Sequence, residues 1–323
     1  MRILITGGFG FIGSHFTELA LQRGHEVTVI DSFTYASDLD NIDSEVRQCI
    51  KTLQIDISNY ENLLSGIKNL KSFDAIANFA AETHVDRSIR DSEIFLRSNV
   101  LGVINLLNLT RDGLAGKYLQ VSTDEVYGSV VNGKWDELNL LQPRSPYSAS
   151  KASAEHFCMA FRETFGLNVL ITRCANNYGA KQSVDKLIPK TIYSVLKGQP
   201  VPIYGNGLQI REWIYVSEHV KILLEILEAE MPRHFIYNIG GKEKVNLNLV
   251  REIISLMGGN DSLINFVSDR PGHDFRYALN DSRLKSEFVS SKSPDFDSTL
   301  IETINWYSSN KKWVNRSYSK VRN

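Results

Sequence analysis

Through the first half of the chain, short apolar runs alternate with longer stretches in which apolar residues recur every three or four positions. The short runs are strand-like, and the longer period is that of a helix with one buried face. They predict strands at 2–6, 26–31, 52–55, 75–79, 118–122 and 169–173, and helices such as 11–23 and 94–110. Strand and helix in alternation mark a parallel sheet covered by helices, a Rossmann-type doubly wound α/β fold. After about residue 176 the order loosens to a helix at 187–197, a strand at 201–204, a helix at 217–229 and a strand at 235–239. A domain at 1–175, rejoined by some later segments, and a smaller interleaved lobe at 176–323 are expected.

At 323 residues the chain accommodates both units. Its 36 basic and 37 acidic residues leave a net charge of −1 with no run of like charge, which gives a nucleic acid nothing to bind. The tail from Lys311-Lys312 to Arg322 reads as a solvated end. Cys49, Cys158 and Cys174 are irregularly spaced, without a Cys-x-x-Cys pair or a histidine at ligand spacing. They predict reduced thiols in a cytoplasmic protein and no metal site. The apolar start is broken by Gly7, Gly8, Gly10 and Gly13, so neither a signal-peptide core nor a membrane span is expected.

Those glycines carry chemistry. Gly7, Gly10 and Gly13 follow the first predicted strand and open a helix, where glycine lets backbone N–H groups approach a pyrophosphate at the helix's positive end. The second strand ends in Asp31, whose carboxylate suits two ribose hydroxyls and repels a 2′-phosphate, so NAD is expected over NADP. Asp56 and Ile57, after the third strand, are placed to meet the adenine.

Tyr147 and Lys151 stand four apart and share one helix face. An ammonium beside the phenol lowers its pKa, so the tyrosine can take the proton of a substrate hydroxyl as hydride leaves. Alcohol oxidation needs only this pair. Thr123, Asp124 and Glu125 add two carboxyls at the carboxyl end of a strand, where open α/β sheets hold their substrates. A base and an acid at neighbouring carbons are what elimination of water beside a ketone requires, so a lyase is expected. His84 is read as structural and Cys174 as a buried small residue.

TGGFGFIGS (6–14), AAETHVDRSI (80–89), STDEVYG (122–128), SPYSASKAS (145–153), NNYG (176–179), KLIP (186–189), PIYGNG (202–207), YNIGG (237–241) and DRPGHDFRYA (269–278) together resemble the dTDP-glucose 4,6-dehydratases of the extended short-chain dehydrogenase/reductase family, nearly end to end. The resemblance implies transient oxidation at sugar C4, removal of the C5 proton by Glu125, protonation of the leaving C6 hydroxyl by Asp124, and hydride return to C6. Thr123 would hydrogen-bond the 4-hydroxyl. Phe11, Ile12, Ala80, Ala81, Thr83 and Asn99 would complete the NAD site with Tyr147 and Lys151. Thr83, Asn176, Lys186, Leu187, Pro202, Tyr204, Arg211, Asn246 and Arg270 would hold the nucleotide sugar. The family also implies a homodimer formed through helices 94–110 and 150–165. Where relatives carry Pro-Tyr and Pro-Glu, residues 180–185 read Ala-Lys-Gln-Ser-Val-Asp. That difference leaves the same chemistry on UDP-glucose or another hexose as an alternative; a sugar-nucleotide 4-epimerase or decarboxylase, which keeps Tyr147, Lys151 and NAD on the same scaffold, is the other.

Overall fold

Ile3 and Ile5 of the first strand turn to one face of the main sheet and Leu4 to the other, and all three are sealed from water. A strand buried on both faces needs helices on both. The computed structural model describes residues 1–288 and 294–322. Its strands are β1 (Arg2–Thr6), β2 (Glu26–Asp31), β3 (Lys51–Gln54), β4 (Ala75–Asn78), β5 (Tyr118–Thr123), β6 (Val169–Cys174), β7 (Asn176–Tyr178), β8 (Val201–Tyr204), β9 (Ile210–Tyr215), β10 (Ile236–Ile239), β11 (Lys242–Val245) and β12 (Ile264–Val267). Seven of them pair in parallel in the order β10-β6-β5-β4-β1-β2-β3. The direction of the strand order reverses beside β1, and the crevice between β1 and β4 at their carboxyl ends is where such sheets bind ligands.

The apolar runs locate the main-sheet strands to within a residue at either end. Four strands escape them: β7, β9, β11 and β12 are three to six residues long and mix charged or polar with apolar positions. β7, β9 and β11 form a second sheet, and β8 pairs with β12. The helix predicted at 94–110 starts at Ser92–Phe95, passes through a π-helical turn at Leu96–Leu101 and continues as Gly102–Arg111.

The lobe has its own core, in which Tyr178, Ile188, Trp213, Ile253, Leu300 and Tyr307 meet. The tail departs from the sequence expectation of a solvated end. It is a helix, Lys311–Arg322, with Trp313 and Val314 buried in that same core. Its charged residues read as solvent-facing, whereas Arg316 and Lys320 are engaged by Asp38. Among the described residues no helix is long and apolar enough to cross a membrane.

Candidate active site

The glycine turn is shaped by close approach. Gly7 has φ +69°, and a Cβ there would lie 2.6 Å from the Ala80 nitrogen after β4. A Cβ at Gly13 would run into the Gly7 carbonyl. Only glycine at both places leaves a cradle, and the resulting crevice is lined by Gly7, Gly10, Asp31, Asp56, Ile57, Ala80 and Ala81. Asp31 is nearly sealed: Oδ2 accepts from the Phe9 N–H at 2.9 Å, while Oδ1 accepts from the Phe33 N–H at 2.8 Å and the Ser37 hydroxyl at 2.7 Å. Phe11 and Ile12 open the following helix and pack on the core. Asn99 lies behind this crevice. Its amide is spent on the Glu82 main chain and the Ser150 hydroxyl, so it braces the site from within.

The helix Pro146–Phe165 is specified at both ends. Ser145 and Ser148 form a capping box, Pro146 occupies the first turn, and Gly166 closes the helix at φ +67°. This register brings Tyr147 and Lys151 to the carboxyl end of β5, both buried. Lys151 Nζ donates to the Val121 carbonyl at 2.7 Å, and burial pushes its pKa down to about 8. Burial and then the nearby Glu125 carboxylate lift the Tyr147 phenol well above its ordinary value, while a hydrogen bond with Thr123 works the other way.

Thr123 ends β5 and caps the short turn Asp124–Tyr127. Its hydroxyl accepts from the Glu125 N–H at 3.3 Å and donates to Asp124 Oδ1 at 3.1 Å. Asp124 is 2% exposed, and its Oδ2 is buried without a partner among the described residues. Burial, reinforced by the charge of Glu125, holds the Asp124 carboxyl well above the usual carboxylate range. Glu125 is more open, and although burial raises it too, Arg270, Arg211 and Lys186 favour its ionised form. Both carboxyls are raised, Asp124 well above its ordinary range, and the three cations favour ionisation of Glu125 before Asp124.

Those three cations come from the lobe. Arg211 on β9 is 5% exposed, lies over the Tyr277 ring at 4.3 Å, and donates to the carbonyls of Ile210, Asp274 and Phe275. Among the described residues no carboxylate stands within ion-pair distance of it, so this buried charge has room for an anion. Lys186 Nζ donates to the Thr83 carbonyl at 3.0 Å, and Tyr204 donates to Asp86 at 2.9 Å. Arg270 approaches Asp86 at 4.0 Å, beside Tyr204. Asn246 holds a buried Oδ1 with no partner among the described residues. Leu187 and Pro202 are partly buried, and Asn176 lies on β7 beside Trp213 of β9. The altered segment 180–185 turns Lys181 to Glu18 and the Asn41 carbonyl, and Asp185 to His84.

His84 caps the helix Val85–Arg90 by accepting from the Arg87 N–H, the structural place expected of it. Cys174 is buried, its thiol donates to the Ser122 carbonyl, and burial pushes it up to about 12, so it is no nucleophile. Sequence reasoning missed Arg173, Glu155 and Tyr127. Arg173 bonds Glu155 on the tyrosine-bearing helix and Tyr127 in the carboxyl-bearing turn. An arginine inside an apolar strand was the available signal.

The family model described as GDP-mannose 4,6 dehydratase matches residues 4–301. A dTDP-glucose 4,6-dehydratase of Streptomyces niveus is 39% identical over 321 residues, spanning 97% of this chain and 94% of the relative. A solved dTDP-glucose 4,6-dehydratase from Streptomyces venezuelae, with NAD and TYD bound, is similar with TM-score 0.93 at 39% identity, over 98% of this chain and 100% of that one. The UDP-glucose 4-epimerase of Thermus thermophilus in complex with NAD shares the fold with TM-score 0.88 at 26% identity, over 96% of this chain and 100% of its own.

Proposed function

The chain belongs to the GDP-mannose 4,6 dehydratase family, and on that premise we propose that it dehydrates dTDP-glucose to dTDP-4-keto-6-deoxyglucose. One observation carries the reading. Asp124, sealed, its carboxyl raised well above the ordinary range and its Oδ2 without a partner among the described residues, stands beside Glu125 at the end of the strand that Tyr147 and Lys151 face. An epimerase needs only the tyrosine and lysine, and the two carboxyls have no task in it.

The cradle at Gly7 and Gly13 and the enclosed carboxylate of Asp31 fit a dinucleotide, which would be held by Gly7, Gly10, Asp31, Asp56 and Ile57. NAD, when bound, supplies the acceptor and later the donor of the hydride that leaves sugar C4 and returns at C6. Tyr147 takes the proton of the 4-hydroxyl, which Thr123 orients. The Thr123 hydrogen bond opposes the burial and the Glu125 charge that raise the phenol, and the positive nicotinamide of bound NAD would add to that effect. With C4 a ketone, the C5 proton is acidic and Glu125 removes it. Asp124 passes its proton to the C6 hydroxyl, which departs as water. Glu125 then returns a proton to C5. Tyr147 ends the cycle with one proton more and Asp124 with one fewer, so the site is reset for the next turnover when Tyr147 releases its proton and Asp124 takes one up, with no net proton consumed.

In the lobe, Arg211 meets the pyrophosphate with Asn176 near it, Lys186, Leu187 and Pro202 line the nucleotide, Tyr204 stacks on the base, and Asn246 and Arg270 complete the pocket. The buried Arg211, with no carboxylate within ion-pair distance, and the Asn246 Oδ1, with no partner, among the described residues support this assignment. The division of labour follows the chain: residues 1–175 with later returning segments for the cofactor, 176–323 for the sugar nucleotide. A homodimer is supported by exposed Leu96, Leu101, Phe157 and Phe165 on the helical stretches that would pair across a two-fold axis. A cytoplasmic setting suits Cys49, Cys158 and Cys174, all free thiols.

Purified protein should be incubated in turn with dTDP-glucose, UDP-glucose and GDP-mannose and followed by mass spectrometry. Loss of one water from dTDP-glucose, with the other two consumed far more slowly, is the expected result. A product of unchanged mass with inverted C4 would overturn the dehydratase reading.

A further inference from the structure

The helix Lys311–Arg322 packs with the substrate lobe, yet three of its side chains reach across to the segment 37–41, which in turn bonds the glycine turn and Asp31. Trp313, Arg316 and Lys320 follow one another at steps of three and four and so share a helix face. Trp313 Nε1 donates to Asn41 Oδ1 at 2.9 Å, and Asn41 Nδ2 donates in turn to the Phe9 carbonyl in the glycine turn at 2.8 Å. Arg316 donates to both oxygens of Asp38, at 2.7 and 3.0 Å, and to Asp40 at 2.7 Å. Lys320 Nζ donates to the Ser37 carbonyl at 2.7 Å and to Asp38 at 3.0 Å. The Ser37 hydroxyl is the donor to Asp31 Oδ1, and the Phe9 N–H is the donor to Oδ2.

Each end of the Asp31 carboxylate is thus held by a residue that the C-terminal helix holds, directly or through Asn41. Burial raises Asp38, but hydrogen bonds from Arg316, the Asp40 N–H and Lys320 outweigh it and keep the carboxyl below its ordinary range, so these pairs are charged at neutral pH. The opposite side of the helix is fixed as firmly. The Ser317 hydroxyl accepts from the Val184 N–H at 3.3 Å, two residues before Lys186, and Tyr318 stacks on Tyr193 with ring centres 4.2 Å apart.

We propose that the C-terminal helix is a clasp that positions Asp31 and the glycine turn for the cofactor's ribose, with Lys320 and Arg316 acting through Ser37 and Asp38 without touching the cofactor. The inference rests on the NAD reading above. A redox cycle that opens and closes within one turnover is served by a cofactor that stays in place, and a clasp anchored in the substrate lobe supplies that retention.

The test uses full-length protein stripped of nucleotide and titrated with NAD by calorimetry, with dTDP as a separate titrant. Wild type is compared with Lys320→Ala, with Arg316→Ala/Lys320→Ala, and with both sets placed on an Asp31→Asn background. NAD affinity should fall about tenfold in the double variant, the scale of losing charge-assisted hydrogen bonds, while dTDP affinity stays within about twofold of wild type. On the Asp31→Asn background the further loss should shrink to about twofold or less, because interacting residues give non-additive effects. Unchanged NAD affinity in folded variants, or an equal loss on both backgrounds, overturns the clasp. Wild-type protein that binds no NAD sinks the parent reading instead. The single Lys320→Ala variant, which alters a side chain 33% exposed, carries the same comparison if the double variant does not fold.

Discussion

Arg173 on β6 and Glu155 on the helix Pro146–Phe165 form a buried ion pair, with Arg173 Nε and Nη2 at 2.9 and 2.7 Å from Glu155 Oε2. The same guanidinium donates through Nη1 to the Tyr127 hydroxyl, so one side chain ties the helix of Tyr147 to the turn of Asp124 and Glu125. Arg173→Met leaves the Glu155 charge buried alone. It should cost about 3–5 kcal/mol in urea unfolding, and Arg173→Met/Glu155→Leu should regain most of that. A double variant as unstable as the single one would show that the pair does not act as a unit.

The steps of catalysis should separate by mutation. Tyr147→Phe removes the base for the 4-hydroxyl and should suppress every event, including the first appearance of reduced cofactor. Glu125→Gln and Asp124→Asn should still form it but slow elimination by roughly 10²-fold or more. In solvent deuterium the wild type should place one deuterium at C5. Full turnover in both carboxyl variants would remove the reason for assigning them.

Asp124 also predicts a pH-dependent stability. Its carboxyl is raised, so above the ordinary carboxylate range the folded state holds a proton that the unfolded chain has released, and stability falls as pH rises through that window. Asp124→Asn removes this penalty. By calorimetry the variant should melt roughly 2–4 °C higher than wild type at neutral pH. The gain should vanish below about pH 4, where the unfolded carboxyl is protonated as well. A pH-independent gain would refute the account.

Asp31 should set the choice between cofactors. Its carboxylate sits at the carboxyl end of β2 with its oxygens already organised by Phe9, Phe33 and Ser37, and a 2′-phosphate would meet that charge. Stripped protein should bind NAD more tightly than NADP, and Asp31→Ala should narrow the difference. Tighter NADP binding by the wild type would reject the role.

The exposed Leu96, Leu101, Phe157 and Phe165 predict a dimer in sedimentation at micromolar concentration. Phe157, 39% exposed on the tyrosine-bearing helix, is the probe. Phe157→Asp should place a charge in an apolar seam and yield monomers. A wild-type monomer would count against the assembly.

Much of the molecule is legible in the sequence because its signals are local. The sheet strands declare themselves by short runs of mostly apolar residues, the glycine turn by its spacing, and the register of Tyr147 and Lys151 by Ser145, Pro146 and Gly166 at the ends of their helix. The pair Asp124 and Glu125 is equally plain, and the family resemblance assigns the acid to Asp124, but no local pattern gives the physical reason. It lies in depth of burial and in Arg211, Arg270 and Lys186, supplied from the lobe roughly sixty to one hundred and fifty positions later. The partners Arg173 and Glu155 are eighteen residues apart on a strand and a helix, and no local pattern joins them. The tail is the sharpest case: its charges predict solvent, because composition registers a lysine or arginine without its partner, and only the fold brings Asp38 and Ser37 to Arg316 and Lys320. Periodicity and turn chemistry act within a few residues and are written along the chain, whereas solvation and charge pairing are settled by whatever the finished fold places alongside.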